Sequence, residues 1–247
     1  MNFKTDLHVH SKDVSRCSNC PADIIAEKYI AAGYTTIVLT NHFDPDLVHH
    51  SPDKTFSSAV DFFLEGYEKM KAAAGDRLNV ILGMEVRFRE NMNDYLVFGV
   101  TEEFLRSVED FTSTGIRQYS EKVREAGLMI LQAHPFRFGM SVTSPHHLDG
   151  VEVHNGHIWH NSNNDIANAW AKKYNLIATS GSDHHDITHP VTGGIMTENP
   201  ILDSAELLKV LRSREFTLIE GIEPALRKIR REKEEEEQRK KEAENSI

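Results

Sequence analysis

The stretch Asp6-Leu7-His8-Val9-His10-Ser11 places two histidines two residues apart near the start of the chain. In an extended strand, residues at this spacing project from the same face, so both imidazoles can reach one metal ion. An incidental pair of histidines on an exposed strand is the alternative interpretation. The remainder of the sequence favours metal chemistry over that alternative.

Further imidazole and carboxylate side chains directly follow short apolar runs elsewhere in the chain. They are His42, Glu85, His134, Asp183 and His185. Chance does not readily place so many potential ligands at the same end of so many strands. Histidine nitrogen and carboxylate oxygen are the ligands of zinc, manganese and iron. Together with the first histidine pair they exceed what one ion needs, so we predict two or three divalent transition-metal ions.

Such ligands need a scaffold that brings the ends of separate strands together. Short apolar strands alternate with helical segments, beginning with a strand at 3–8, a helix at 21–32 and a strand at 35–40. The pattern, with about eight candidate strands, predicts an α/β fold with a parallel sheet that closes, or nearly closes, into a TIM-like barrel. In such barrels the active site lies at the C-terminal ends of the strands. The polar segment 45–57 is predicted to be a loop.

Length and composition limit the classes of protein that fit. The chain has 247 residues, of which 39% are hydrophobic, and its formal net charge is -10. This is enough chain for one full-sized core, and the acidic balance argues against general nucleic-acid binding. No apolar run reaches the roughly 20 residues that cross a bilayer. We expect no signal peptide and no membrane association. We therefore expect a cytoplasmic location.

The C-terminal segment departs from the strand and helix alternation. From Glu223 onward, acidic residues precede basic ones at the spacing that forms ion pairs along a solvated helix. We therefore predict a barrel domain at 1–222 and a charged helical tail at 223–247, to which we assign no chemistry.

The two cysteines of the chain, Cys17 and Cys20, have C-x-x-C spacing. That spacing occurs in half of a zinc knuckle and in redox pairs, but a knuckle needs a second ligand pair and none is nearby. Two ordinary loop residues are therefore the favoured interpretation. The exception is that Cys17 closely follows His10, so its thiolate, or the neighbouring Asp13, could join the metal site.

Five motifs follow one another along the chain in a recognisable order. They are Asp6-x-His8-x-His10, Thr40-Asn41-His42, Gly83-Met84-Glu85, Ala133-His134-Pro135 and Gly181-Ser182-Asp183-His184-His185. This order resembles the PHP family, named for polymerase and histidinol phosphatase, over residues 3–220. The resemblance implies a distorted (β/α)7 barrel of seven strands, a centre of two or three metal ions and phosphoesterase activity.

Position by position, the resemblance also implies which residues share an ion. The first ion would be held by His8, His10, Glu85 and Asp183, the second by Glu85 and His134, and the third by His42 and His185. Two positions depart from the family pattern. The segment between the Glu85 and His134 motifs lacks the usual histidine, and Asp94 is our candidate replacement. Ser15 stands where the third ion usually gains a ligand, with Asp13 and Cys17 on either side.

A phosphoesterase also needs cations for the remaining phosphate charge. Arg87 and Arg137 follow Glu85 and His134 closely enough to be placed at the same strand ends, so we predict phosphate contacts for both. A surface arginine is the alternative for each. His154, at another strand end, is a candidate substrate contact or general acid, with a structural histidine as the equal alternative.

Three functions remain open on the sequence alone. The first is hydrolysis of a small phosphomonoester, such as histidinol phosphate or a nucleotide, by metal-activated hydroxide. The second is a metallohydrolase acting on an amide or a phosphodiester; arginines that converge on the metals would favour the first over an amidase. The third is a non-catalytic metal-stabilised module like those attached to replicative polymerases, which the retention of nearly all ligands disfavours.

Overall fold

A computed structural model describes residues 2–108 and 114–221. Within these residues the strands are β1 (Phe3–Val9), β2 (Thr36–Leu39), β3 (His42–Phe43), β4 (Asn79–Arg87), β5 (Asp94–Phe98), β6 (Met129–Gln132), β7 (Gly150–Asn155), β8 (Ile177–Gly181), β9 (Gly193–Thr197) and β10 (Thr217–Glu220). The α-helices are α1 (Ala22–Ala31), α2 (Pro45–His50), α3 (Phe56–Ala74), α4 (Glu102–Ser107), α5 (Gly115–Glu125), α6 (Asn164–Tyr174) and α7 (Ser204–Ser213). The predicted helical tail at 223–247 lies outside the described residues.

The strands form one sheet that curves into a nearly closed barrel. Its order is β10-β9-β1-β2-β4-β5-β6-β7-β8, and β3 pairs with β4 beside this path. The segment after β8 returns to β1, where His184 forms a parallel bridge with Val9. The predicted TIM-like α/β barrel is therefore confirmed.

The sheet is mixed, which corrects the prediction of a parallel sheet. β5 pairs antiparallel with both β4 and β6, and β9 pairs antiparallel with both β1 and β10. The segment between β4 and β5 is too short for the crossover that a parallel neighbour requires, so the chain turns back on itself. The sequence analysis missed β9 because it begins with Gly193 and Gly194, and glycine is depleted in strands.

Helices pack on the barrel and bury its apolar surface. One apolar cluster joins residues of β1, β2, β4, β5 and β6 with α7, and two more lie under α1 and under α3 to α6. α2 occupies part of the segment predicted to be a loop: the Asp44 side chain accepts a hydrogen bond from Leu47 N, and Pro45 suits the first turn. Every helix in the described part of the chain is too short or too polar to cross a membrane.

Candidate metal centre

The predicted ligands meet at one end of the barrel. They are His8 in β1, His10 just after it, His42 in β3, Glu85 in β4, His134 shortly after β6, and Asp183 and His185 after β8. Asp94 is the first residue of β5, yet it reaches the same end because β5 runs antiparallel and pairs it with Arg87. The reversal of one strand thus adds a carboxylate to a site otherwise built from the ends of forward strands.

The Glu85 carboxylate lies at the middle of the cluster. Its Oε1 is 3.3 Å from both His8 Nε2 and His134 Nε2. Its Oε2 is 3.3 Å from His10 Nε2 and 3.1 Å from His42 Nδ1. A carboxylate with imidazoles around both oxygens has the arrangement of a ligand that bridges two ions.

Asp183 provides a second carboxylate facing the same imidazoles. Its Oδ1 is 3.2 Å from His185 Nδ1, 3.4 Å from His8 Nε2 and 3.7 Å from His10 Nε2. Ligand atoms within 4.8 Å of one another form four groups among the described residues. These groups are His8-His10-Glu85, His8-His134-Asp183, His42-Glu85-Asp94 and His10-His42-His185. The groups overlap, since His8, His10, His42 and Glu85 each belong to two of them.

The protonation implied by the hydrogen bonds tests whether the cluster suits metal ions. Ser15 Oγ donates to Asn41 Oδ1 and therefore accepts from His10 Nδ1, 3.1 Å away. His8 Nδ1 lies 2.9 Å from the Glu152 carboxylate, which can only accept. In the neutral form each ring therefore carries its proton on Nδ1, and the Nε2 lone pair faces the cluster, where neither Nε2 has a hydrogen-bond partner among the described residues. Buried lone pairs without a donor are costly unless a cation binds them, so the residues fit bound metal ions.

Glu152 was not singled out in the sequence, although it organises the site. Its carboxylate contacts His8, accepts from His134 N at 3.0 Å and accepts from Asn155 Nδ2 at 2.8 Å. A carboxylate behind a ligating histidine fixes the tautomer and the orientation of the ring. Gly181, the last residue of β8, makes this approach possible, because a Cβ there would overlap His8 and the Glu152 carboxylate.

The two predicted phosphate-binding arginines each pair with a carboxylate of the cluster. Arg87 Nε and Nη2 both lie 2.7 Å from the two oxygens of Asp94. Arg137 Nη2 lies 2.6 Å from Asp183 Oδ2 and 2.8 Å from Asn155 Oδ1, while its buried Nε has no partner in the described residues. Asp94 keeps an approach to the cluster through Oδ2, 3.8 Å from His134 Nε2.

The backbone is strained at two of the clustered residues. His134 has a φ of 28° and Asp183 a φ of 50°, in the left-handed region that non-glycine residues rarely adopt. Such strain costs about 1–3 kcal/mol per residue and persists only where the surroundings enforce it. Here the enforcement includes the hydrogen bond from His134 N to Glu152. The strain is therefore located where two ligands must turn toward the cluster.

Burial and opposite charge set the ionisation of the cluster. Burial raises the pKa of Asp183, but His8 and Arg137 outweigh it and hold that pKa well below its usual range. His8 acts in the same way on Glu85, whose pKa is also held low against burial. Burial lowers the pKa of His10 well below the ordinary imidazole value. The two carboxylates are thus ionised and His10 is neutral, as metal ligation requires.

Comparison with known proteins identifies the family. The PHP domain model matches residues 6–237. The chain belongs to the PHP family. The resemblance read from the five motifs is therefore confirmed, and the match extends beyond the residues that the structure describes. No curated protein matches the chain.

Solved structures share the fold of this chain at low sequence identity. A two-domain protein from Bacteroides vulgatus, described as containing a predicted PHP-like metal-dependent phosphoesterase, is 16% identical, with a TM-score of 0.63 over 90% of this chain and 65% of its own. PsfC from Pseudomonas syringae is 14% identical, with a TM-score of 0.67 over 92% of this chain and 96% of its own. An amidohydrolase from Chromobacterium violaceum is 15% identical, with a TM-score of 0.52 over 90% and 99%. The 65% coverage of the Bacteroides protein means that the chain spans less than two thirds of its length.

At Ser15, one of the two departures from the PHP pattern, the hydroxyl is hydrogen-bonded and a neighbouring thiol lies beside two of the cluster histidines. Ser15 does not point into the cluster as a free ligand, because its Oγ contacts His10 and Asn41 and accepts from His42 N at 3.0 Å. The Cys17 thiol instead lies beside the imidazoles of His42 and His185. Burial raises the pKa of the Cys17 thiol, but these two contacts lower it to about 6.

Two further histidines, His154 and His184, make other contacts. His154 Nε2 accepts from Gly221 N at 3.1 Å, and its Nδ1 lies 3.3 Å from Asn164 Nδ2, a geometry that favours the structural alternative over a general acid. A register shift in β7 between Glu152 and His154 turns Asn155 toward the cluster in its place. His184 faces Tyr29, with ring centroids 5.8 Å apart.

Proposed function

We propose that this PHP protein is a metal-dependent phosphoesterase that hydrolyses a small phosphomonoester of the histidinol-phosphate or nucleotide kind. The observation that carries the proposal is the Glu85 carboxylate with four imidazole nitrogens 3.1–3.3 Å from its two oxygens. Bound divalent ions lower the pKa of a coordinated water and polarise a phosphoryl oxygen, which is the chemistry that hydrolysis needs.

We assign the ligands to two or three ions, each zinc, manganese or iron. His8, His10, Glu85 and Asp183 would hold one; Glu85, Asp94 and His134 a second; and His42 and His185 a third. Glu85 serves more than one ion in this assignment. Glu152 and Ser15 would hold the first pair of histidines in the tautomer that ligation requires.

Arg137 is the side chain best placed to bind the substrate phosphate. One edge of its guanidinium holds Asp183 and Asn155, and the buried Nε remains without a partner among the described residues. A planar guanidinium can therefore keep Asp183 oriented and still donate to a phosphoryl oxygen. Arg87 donates to both oxygens of Asp94, so its primary role in this proposal is to orient that carboxylate.

A cavity beside the cluster gives room for the alcohol part of the ester. Its volume is about 680 Å³, and it is lined in part by His42 and Arg87. Ligand pockets for small molecules are typically about 300–1,000 Å³. Lys12 and Arg16 together with Asp44 and Asp46 also line it, so both signs of charge are offered to the leaving group. We further expect a cytoplasmic location, and no nucleic-acid or membrane partner.

Hydrolysis of an amide is the second candidate, and the pairing of both arginines supports it. Each arginine already neutralises a carboxylate of the cluster, which leaves less free positive charge for a phosphate than the sequence analysis predicted. One structural neighbour is described as an amidohydrolase. An amide has no charge for Arg137 to neutralise, so the two functions differ in their dependence on that side chain.

A substrate screen tests the proposal. Metal-free protein would be loaded with manganese or with zinc and assayed against phosphorylated metabolites, p-nitrophenyl phosphate and N-acyl amides, with Glu85→Ala as the matched inactive control. We expect phosphate release that requires added metal and is lost in Glu85→Ala. Turnover of amides but no phosphate ester by the loaded wild type would move the assignment to the second candidate. Metal binding without any turnover would favour a non-catalytic module.

A further inference from the structure

The buried side chain of Asn155 contacts three groups that have different tasks at the centre. Its Nδ2 lies 3.0 Å from Oδ2 of Asp183, a proposed metal ligand, and 2.8 Å from Oε2 of Glu152, whose carboxylate orients His8. Its Oδ1 lies 2.8 Å from Nη2 of Arg137, the proposed phosphate-binding residue. Asn155 is 4% exposed, so water does not compete for these contacts. One amide thus connects the metal side of the site with the phosphate side.

The neighbours of Asn155 permit only one orientation of its amide. The carboxylates of Asp183 and Glu152 can only accept, and they face Nδ2, which has two hydrogens to donate. The Arg137 guanidinium and His157 N can only donate, and they face Oδ1, His157 N from 3.2 Å. Exchange of Nδ2 and Oδ1 would oppose donors with donors and carboxylates with an oxygen. An aspartate, which only accepts, cannot replace this amide.

Asn155 also determines which oxygen of Asp183 faces the metal centre. Asp183 Oδ2 accepts from Asn155 Nδ2 and from Arg137 Nη2, the latter 2.6 Å away. Oδ1 is left to face three imidazole nitrogens of the cluster at 3.2–3.7 Å. Because Nδ2 contacts both Asp183 and Glu152, it also separates two buried carboxylates whose charges oppose each other. The two carboxylates are therefore held in one arrangement by a single donor group.

The backbone of Asn155 is itself fixed by the first residue of α6, Asn164. Asn155 N donates to Asn164 Oδ1 at 3.1 Å, and the Asn155 carbonyl oxygen accepts from Asn164 Nδ2 at 3.3 Å. Side chains that are locked by such outer hydrogen bonds hold a site more precisely than free ones. The Asn155 amide is thus in place independently of any ion or substrate.

We propose that Asn155 is a positioning residue that holds the metal ligand Asp183 and the phosphate-binding Arg137 in one arrangement. Neither side chain then has to be ordered when a metal ion or a substrate phosphate binds. Asn155 acts through these two residues and through Glu152. The phosphate part of the inference rests on the proposed function, whereas the metal part requires only that Asp183 binds an ion.

Removal of the amide tests the metal part. Asn155→Leu has a similar volume but neither donor nor acceptor, and Asn155→Ser, which is too short to span the contacts, serves as a second variant. Zinc titration of the metal-free proteins should show a dissociation constant about 10–100-fold higher than that of wild type for both. Circular dichroism of the metal-free proteins checks that each variant folds.

Asn79→Leu is the matched control for the zinc titration. Asn79 Nδ2 also donates to two acceptors, the carbonyl oxygens of Ile201 at 3.2 Å and Leu202 at 2.9 Å, and lies outside the cluster. The melting temperature should fall in this variant as well, while its zinc affinity should equal that of wild type. A purely structural role for Asn155 predicts the same behaviour for its own variants, so unchanged zinc affinity in Asn155→Leu and Asn155→Ser would overturn the metal part.

The affinity of inorganic phosphate tests the link to Arg137. Calorimetry would compare zinc-saturated wild type, Asn155→Leu, Arg137→Ala and the double variant. Asn155→Leu alone should weaken phosphate binding by about tenfold, but by less than about threefold when Arg137 is already alanine, because the two residues act together. Equal losses in both backgrounds would overturn this link. A wild type that binds zinc but no phosphate would refute the proposed function together with the phosphate part, and the zinc titrations would still decide the metal part.

Discussion

The Glu152→Gln substitution tests whether a carboxylate outside the ligand set controls metal affinity. Glu152 makes three contacts: 2.9 Å to His8 Nδ1, 3.0 Å to His134 N and 2.8 Å to Asn155 Nδ2. All three partners can donate, but a glutamine has one acceptor oxygen and one amide that can only donate. If the amide faces His8, it takes the Nδ1 lone pair and moves the ring proton to Nε2, the nitrogen that faces Glu85.

In the opposite orientation the glutamine NH₂ group would face His134 N and Asn155 Nδ2. This orientation is also unfavourable, because both of those groups are hydrogen-bond donors. Either way, the isosteric change disturbs a ligand without creating a cavity. Loss of such an orienting partner typically weakens metal binding by about 10–100-fold, and every tenfold change corresponds to about 1.4 kcal/mol. We therefore expect the dissociation constant of the tightest equivalent to rise by that factor.

The assay is titration of metal-free protein with zinc against a chelating indicator. Glu90→Gln is the control, because Glu90 also accepts a backbone hydrogen bond, from Ile116 N at 2.9 Å, but is exposed and outside the cluster. Circular dichroism of both metal-free variants checks that the fold is retained. Equal zinc affinity for Glu152→Gln and wild type would refute the argument that Glu152 sets the tautomer of His8.

Four further predictions follow from the same contacts. Arg137→Ala should lower kcat/KM for a phosphomonoester by about 10²-fold or more at saturating metal. Because Arg137 pairs with Asp183, the Arg137→Ala substitution should also weaken metal binding. The Arg137→Lys substitution should recover only part of kcat/KM and only part of the metal affinity. Asp94→Ala should lower the metal content measured by elemental analysis, and Asp94→His should largely retain it. Equal metal content in the wild type and the two variants would exclude Asp94 as a ligand. Gly181→Ala should lower zinc affinity and thermal stability together, because the added methyl group displaces His8; an unchanged melting temperature would contradict this. Burial lowers the pKa of His185, but the Asp183 carboxylate outweighs burial and raises that pKa to about 10. The ion pair therefore stabilises the metal-free fold fully at pH values below the ordinary pKa of histidine, about 6.5. This stabilisation is lost as the pH rises through 10. Zinc must displace the proton on His185, so calorimetry in buffers of different ionisation enthalpy should show proton release on zinc binding at pH 7. A zinc affinity that does not rise with pH would refute this prediction.

Much of the candidate metal centre could be predicted from the sequence because the residues that meet there stand at strand ends within short motifs. The alternation of a strand places His8 and His10 on one face, and the apolar run before Glu85 marks where β4 reaches the end of the barrel. Asp94 was a candidate as well, although its position at the start of a strand made sense only once β5 proved antiparallel. That reversal depends on the short segment before β5, which the strand pattern alone did not take into account.

The contacts that orient the ligands were not predictable in the same way. Glu152 lies in a buried strand with no motif around it, and its role depends on β7 lying beside β8 and on the close approach to His8 that Gly181 allows. The shift of register in β7 also breaks the alternation from which His154 was expected to face the site. Asn155 takes that place and contacts both Glu152 and Asp183. Sequence spacing assumes a regular strand, and this strand is irregular where it meets the centre.

The charge pairing at the centre links substrate binding to metal binding. Arg137 Nη2 holds Asp183, and Arg137 is the only cationic side-chain partner of that carboxylate besides histidine among the described residues. The Arg137 Nε is left for a phosphate, so a bound phosphate would fix the guanidinium that orients Asp183. A carboxylate held in place beside three imidazoles is a better metal ligand than one that must first be ordered. Since coupling between two binding events is reciprocal, phosphate and metal should each strengthen the binding of the other. Arg87 donates to both oxygens of Asp94, and its Nε and Nη2 could contact a phosphate only by giving up two hydrogen bonds. The two arginines therefore differ in role despite their similar spacing in the sequence: Arg137 can respond to substrate, and Arg87 is fixed to the carboxylate that it positions.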